Sequence, residues 1–316
     1  MPESFLHDRD DFRELIDTVS LDQRIHDPAL VEKDYWIMHA LFGLKELRLT
    51  FALKGGTSLS KGFGIIDRFS EDIDIWIAPF DDLPVPAGPN QNKAAHIQSR
   101  LDFFERLRAK ITMPGIIAVE RDTGYDDDKL RNAGLRLLYD SHYDAVEGLK
   151  GGVLLEVGFD TISPNTPRDI SSWALDFARD RRLDVIDNRA LAIVCYNPEY
   201  TFVEKLQTVA KKFRQFQESG GTLPRNFLRH YYDIYQLLNV PAVQAFIGTP
   251  EYSEHKRVRF RTENQNLSHT DAFTLRDSST RKLFEAEYKK TAALYYRGQV
   301  PLDEIVYRIA KDLGRL

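Results

Sequence analysis

Two aspartates two positions apart, Asp72 and Asp74, close a segment that opens on a glycine pair, Gly55 and Gly56, followed by Thr57 and Ser58. The whole run reads Lys54-Gly-Gly-Thr-Ser-Leu-Ser-Lys-Gly-Phe-Gly-Ile-Ile-Asp-Arg-Phe-Ser-Glu-Asp-Ile-Asp-Ile-Trp-Ile77. On a strand, residues i and i+2 share a face and lie roughly 7 Å apart. Two carboxylates so placed suit hard, oxygen-seeking cations such as Mg²⁺ or Mn²⁺. Glycines let the backbone approach a phosphate, and a helix start offers it unpaired N–H groups. A metal pair beside a phosphate cradle is the equipment of in-line phosphoryl or nucleotidyl transfer. Asp-x-Asp alone is common, and Gly-Gly after a strand is ordinarily a turn; what is distinctive is their occurrence in this order. The run contains neither the Walker A pattern nor a G-x-G-x-x-G fingerprint.

The elements around this run must hold it in place. Arg48 to Leu53 reads as a short buried strand stopped by the glycine pair, and a short helix is predicted from Thr57 to about Ile66. Ile73 to Ile77 alternates acid and apolar residues, as a strand with one wet face does. Upstream, Leu30, Val31, Tyr35, Trp36, Met38, Leu41 and Leu44 recur at helical spacing. Asp81 to Asn92 is rich in breakers and predicts a loop, with a helix over about 93–112 after it. Leu135–Ser141 and Gly152–Phe159 read as strands, an antiparallel pair joined by a segment, 142–150, longer than a tight turn. Beyond Asn197-Pro198 the pattern is helical, with helices predicted at 199–218, 225–239, 280–296 and 302–314. The fold class expected is therefore α+β: a mixed-sheet core over residues 1–195 and a helical C-terminal domain over 196–316, the second completing the active-site cleft.

Composition narrows the class. The 316 residues are 42% hydrophobic, 11% aromatic and 29% charged, enough for a folded core. The single cysteine, Cys195, excludes an intrachain disulfide framework and a multi-cysteine zinc site, and no H-E-x-x-H spacing occurs. No run approaches the roughly 20 apolar residues of a membrane span, and the opening residues do not read as a secretory leader, so the expected location is the cytoplasm. The net charge of −5 is unevenly spread: residues 1–199 carry 24 Lys and Arg against 35 Asp and Glu, whereas residues 200–316 carry 19 against 13. An acidic chain can thus still offer a basic face to a polyanion. Lys211-Lys-Phe-Arg214 with Arg225, Arg229 and His230, and the run His255-Lys-Arg-Val-Arg-Phe-Arg261, are the candidates for phosphate-backbone contact, the alternative for each being a solvated helix face.

The order apolar-Gly-Gly-Thr followed by Asp-x-Asp resembles the signature of the DNA polymerase β-like nucleotidyltransferase superfamily. Lys54-Gly-Gly-Thr-Ser-Leu-Ser-Lys61 and Arg68-Phe-Ser-Glu-Asp-Ile-Asp74 are similar to its AbiEii/AbiGii toxin branch, which includes the MenT toxins. Val31-Glu-Lys-Asp-Tyr-Trp-Ile37, Phe202-Val-Glu-Lys-Leu206 and Arg229-His-Tyr-Tyr-Asp-Ile-Tyr235 resemble further segments of that family in the right order. The resemblance implies that Asp72 and Asp74 hold divalent metal and that Gly55, Gly56, Thr57 and Ser58 form the nucleotide cradle. It sets Ser70 where the family has a hydroxyl near the phosphates, although an ordinary strand-entry serine fits as well. It implies that Lys205 meets the triphosphate and that Asp233 orients Lys205 or contacts nucleotide; without it, both read as helix-face charges. A third carboxylate is expected on a later strand. Glu156, an acid among apolar strand residues, is the candidate, with the wet position of an amphipathic strand as the alternative.

The function this implies is transfer of NMP from an NTP to an acceptor hydroxyl, with the tRNA 3′ end as acceptor and a separately encoded antitoxin as partner. Three alternatives stay open: an Asp-x-Asp transferase using another donor such as a sugar nucleotide, a small-molecule acceptor, and an inactive RNA- or protein-binding relative of the same fold.

Overall fold

The apolar runs flanking the glycine pair become adjacent antiparallel strands, β1 (Phe51–Lys54) and β2 (Asp72–Ile77), with Lys54 opposite Asp74. The computed structural model describes residues 4–144, 149–160, 162–261 and 263–316. The chain divides into two compact units: Met1–Gly62 with Phe69–Tyr196, and Phe63–Arg68 with Asn197–Leu316. The division thus follows Tyr196, and a short segment ahead of the aspartate strand packs with the later residues.

In the first unit β1 and β2 lie inside a seven-stranded mixed sheet of order β3-β4-β5-β2-β1-β7-β6. The other strands are β3 (Ile116–Arg121), β4 (Asn132–Tyr139), β5 (Val153–Gly158), β6 (Asn165–Ile170) and β7 (Ala190–Tyr196). β2 runs parallel to β5 and β1 parallel to β7; the remaining neighbours are antiparallel, including the expected pair β4 and β5. Part of the β4–β5 connection, residues 145–148, lies outside the described residues. Helices α1 (Phe12–Gln23), α2 (Pro28–Glu46), a single turn α3 (Gly55–Thr57), α4 (Ala94–Lys110) and α5 (Trp173–Asp180) accompany the sheet. Strand alternation sorts the faces. Leu53, Ile73, Ile75, Leu155 and Val157 are all fully buried, each stabilising the fold by about 1.5–3 kcal/mol. Asp72, Asp74 and Glu156 belong to the other face.

The helix predicted over 57–66 is shorter and different. α3 gives way to a π-helical turn, Ser58–Gly62, after which the chain leaves for the second unit. π turns are rare and frequent at functional sites.

Helix α2 carries three buried charges inside its apolar pattern, and each fastens a different part of the unit. Glu32 accepts from the Ser141 hydroxyl and the His142 N–H, and Lys33 donates to the Lys150 carbonyl. Asp34, 1% exposed, takes Lys61 Nζ at 2.6 Å and the Trp173 N–H at 2.9 Å, while Lys61 lies 4.0 Å from the centre of the Trp173 ring. The turn after the glycine pair is therefore tied to α2 through Lys61.

Farther along α2, His39 sits between the Pro114 carbonyl and Asn188, and His7 bonds the Tyr35 hydroxyl at 2.6 Å. Burial holds both imidazoles neutral, His7 down to about 4 and His39 below its ordinary value. Below pH 6.5 the unfolded chain takes up protons that the folded chain refuses, so stability falls as pH drops from 6.5 towards 4. We therefore expect the protein to be less stable at pH 5 than at pH 7. Melting temperatures at the two pH values check this; a His7→Gln variant should show a smaller difference.

The second unit is helical, as expected: α6 (Pro198–Glu218), α7 (Arg229–Leu237), α8 (Pro241–Phe246), α9 (Pro250–Arg259), α10 (Ser278–Lys289) and α11 (Leu302–Asp312). Phe202, Leu206, Val209 and Phe213 line one stripe of α6 and are buried, as are Ile234, Phe284, Ile305 and Ile309. Gly220 and Gly221, both at positive φ, follow the end of α6, the role the Glu218-Ser-Gly-Gly221 stretch suggests. Tyr231 and Tyr232 are buried as packing residues, Tyr231 donating to the Ala272 carbonyl. Among the described residues no helix is long and apolar enough to cross a membrane.

Candidate active site

The carboxylate face is set by register. In the parallel pair of β2 and β5, Asp72 stands opposite Leu154 and Asp74 opposite Glu156. Residues in register on neighbouring strands share a face about 4.8 Å apart, and i, i+2 residues share it along a strand. Asp72, Asp74 and Glu156 therefore occupy one face, with Lys54 on the other flank of Asp74. Asp72 is buried; Asp74 and Glu156 are half-buried. Buried Lys33 lies within electrostatic reach of Glu71 and Asp72; burial pulls its pKa below that of an ordinary lysine, and the two carboxylates oppose the shift.

Gly55 is required by this geometry. Its φ is +70°, and a Cβ added there would stand 2.0 Å from Asp74 Oδ2. Only a residue without a side chain lets the turn pass so close to the carboxylate. Gly55→Ala should turn the Asp74 carboxylate aside and add about 1–2 kcal/mol of left-handed backbone strain. We expect at least a tenfold loss of transfer activity with a melting temperature lowered by only a few degrees. Steady-state kinetics beside a thermal melt will show whether the two effects separate.

The other cradle residues sit differently from a simple phosphate contact. Thr57 is buried, and its hydroxyl donates to the carbonyl of Asp72. Ser58 is fully buried and Gly56 is buried. Thr57 thus fastens the turn to the aspartate strand, while Ser70 is half-buried just ahead of that strand.

The donor set suits a hard cation. Among the described residues no group of three or more His, Cys, Asp or Glu side chains converges as a metal centre, so Glu156 shares the face without closing a three-carboxylate cage. Mg²⁺ is commonly held by one or two carboxylates, with substrate phosphates and waters completing its shell. Asp72 and Asp74 fit that pattern.

Lys205 and Asp233 belong to the second unit and meet there. Asp233 is fully buried and gripped by the Arg68 fork, Nε to Oδ1 at 2.6 Å and an Nη to Oδ2 at 2.8 Å. Lys205 Nζ reaches the same Oδ2 at 2.9 Å. Burial opposes ionisation of Asp233, but Arg68 and Lys205 outweigh it and hold the carboxyl far below the usual carboxylate range. The enclosed carboxylate thus accepts from both Arg68 and the Lys205 ammonium. Arg68 went unmarked in the sequence. Its partner is 165 positions away, and no spacing rule links them.

The basic segments are largely engaged within the second unit. Arg257 pairs with Glu254, Arg259 with Glu204, and Lys256 is buried near Tyr252 and Phe260. Lys212 donates to the Arg225 carbonyl, and Arg214 pairs with Glu263. His230 is buried and held neutral by burial, with Lys205 and Lys212 adding to the effect, so it offers no cation to a nucleic acid. Lys211 and Arg225 remain exposed.

A mixed sheet presenting a paired-aspartate strand beside a glycine turn, in a chain with a buried lysine–aspartate pair, describes a protein of the nucleotidyltransferase class. Comparison with known proteins is more specific. Residues 36–308 match the family described as nucleotidyl transferase AbiEii toxin, type IV toxin–antitoxin system. The chain belongs to that family. It is also similar to an antigenic nucleotidyltransferase-like protein from Paracoccidioides brasiliensis, at 13% identity and a TM-score of 0.35, over 73% of this chain and 88% of that one. No curated protein matches the chain.

Proposed function

We propose that this toxin-family transferase moves a nucleoside monophosphate from an NTP to an acceptor hydroxyl at the 3′ end of tRNA. The observation that carries the reading is the row Asp72, Asp74 and Glu156 on one sheet face, with the Gly55 turn passing against Asp74. The chemistry forms one phosphodiester bond at the α-phosphorus, breaks the α–β phosphoanhydride and releases pyrophosphate. Asp72 and Asp74 would hold the divalent cation, Mg²⁺ or Mn²⁺. Such an ion, when bound, lowers the pKa of an acceptor hydroxyl and offsets charge on the triphosphate. Gly55 and Gly56 give the triphosphate access to backbone, and Thr57 keeps that backbone in register with Asp72. Lys205 supplies positive charge to the triphosphate, and Asp233 acts through Lys205. The addition blocks aminoacylation and halts growth, with a separately encoded antitoxin restraining it in the cytoplasm.

Incubation with total tRNA, Mg²⁺ and each labelled NTP in turn tests donor and acceptor together. Label should enter tRNA-sized products on a denaturing gel; label confined to small molecules would overturn the tRNA acceptor. Lys205→Ala should weaken NTP binding by roughly 10–100-fold, as loss of a charged phosphate contact does, with RNA binding retained. An unchanged NTP affinity would contradict the role given to Lys205.

A further inference from the structure

We infer that His230 is a positioning residue that fixes the direction of the Lys205 ammonium through its own Nδ1. The inference rests on the proposed contact between Lys205 and the triphosphate.

A lysine ammonium has three N–H donors on a flexible four-carbon stem. Asp233 Oδ2 accepts one of them at 2.9 Å, and that oxygen cannot follow a moving lysine because the Arg68 fork fixes the carboxylate. A single acceptor still lets the ammonium turn about the bond it makes. His230 Nδ1, 3.4 Å from Lys205 Nζ, supplies a second acceptor off that axis. His230 and Asp233 are three residues apart on α7, so one helix face presents both acceptors to a lysine carried by α6. Two of the three donors are then engaged, and the third is left for a phosphate oxygen.

Nδ1 accepts only if the ring is neutral and its proton lies on Nε2. The surroundings favour the neutral ring: burial disfavours the imidazolium first, Lys205, Lys212 and Arg229 repel it, and only Asp233 pulls the other way.

Two uncharged variants separate this role from mere packing. In His230→Asn the side-chain oxygen falls near the position of Nδ1; in His230→Gln it falls nearer that of Nε2. We expect His230→Gln to raise the KM for NTP about tenfold, the scale of one hydrogen bond to a charged group. His230→Asn should stay within about threefold of the parent on the same scale. Both should keep the parent KM for the RNA acceptor and melt within a few degrees of each other. Equal KM values for the two variants, or a parent-like KM in His230→Gln, would overturn the inference. Lys205→Ala measured alongside keeps the two claims apart. If it leaves NTP affinity unchanged, the triphosphate role of Lys205 fails. If it weakens NTP while His230→Gln does not, only the positioning role fails.

Discussion

Replacing Asp74 with alanine is expected to abolish label transfer, by at least three orders of magnitude, while the protein stays folded. The effect is large because Asp74 is one of the two carboxylates proposed to hold the cation. Lys54, opposite it on β1, carries the wrong charge, and Glu156, opposite it on β5, is the third member of the same row. Removing a ligand of a catalytic cation forfeits several kcal/mol of transition-state stabilisation, and about 1.4 kcal/mol is a factor of ten in rate. The fold should tolerate the change because Asp74 is half-buried and its strand is held by apolar neighbours, Ile73 and Ile75. Asp72→Asn is the matching experiment at the buried position, keeping shape while removing charge. Activity within tenfold of the parent in either variant, at unchanged melting temperature, would remove these residues from the metal site.

The second large effect is on stability. Asp233→Ala leaves the Arg68 guanidinium, 2% exposed, without its carboxylate. Breaking a buried pair from one side costs about 3–5 kcal/mol, because the remaining charge stays buried and uncompensated. A drop of roughly 10 °C or more in melting temperature is expected. The double variant Arg68→Met with Asp233→Leu removes two of the three buried charges and should recover only part of that loss, since Lys205 stays buried without its carboxylate. It should not recover NTP binding, because Lys205 has lost the carboxylate that holds it. A single variant as stable as the parent would show that the Arg68–Asp233 pair does not hold the second unit together.

Much of the active region was legible from local chemistry. Short apolar runs bounded by a glycine pair gave β1 and β2, acid–apolar alternation put Asp72 and Asp74 on one face, and helical periodicity found α2, α6 and α11. Three things were hidden. β6 is a polar edge strand containing Pro167, with no apolar alternation to mark it. Glu32, Lys33 and Asp34 sit within an apolar helical pattern, where charge normally marks the solvent side; here each side chain fastens a distant loop. Arg68 and Asp233 form a contact 165 residues apart, visible only in three dimensions. His230 was partly readable: three positions before Asp233 on a helix, it had to share a face with it. Its basic neighbours suggested phosphate binding, but burial, with those same neighbours, keeps its ring neutral.

The central claim, nucleotidyl rather than phosphoryl or glycosyl transfer, is tested most directly by comparing two labels on one NTP. With tRNA and Mg²⁺ present, the label of an α-labelled NTP should appear in the tRNA band, and that of a γ-labelled NTP should leave as pyrophosphate. Incorporation of the γ-label would mean attack at the wrong phosphorus and would contradict the account. So would a failure of either label to move under conditions where NTP binds.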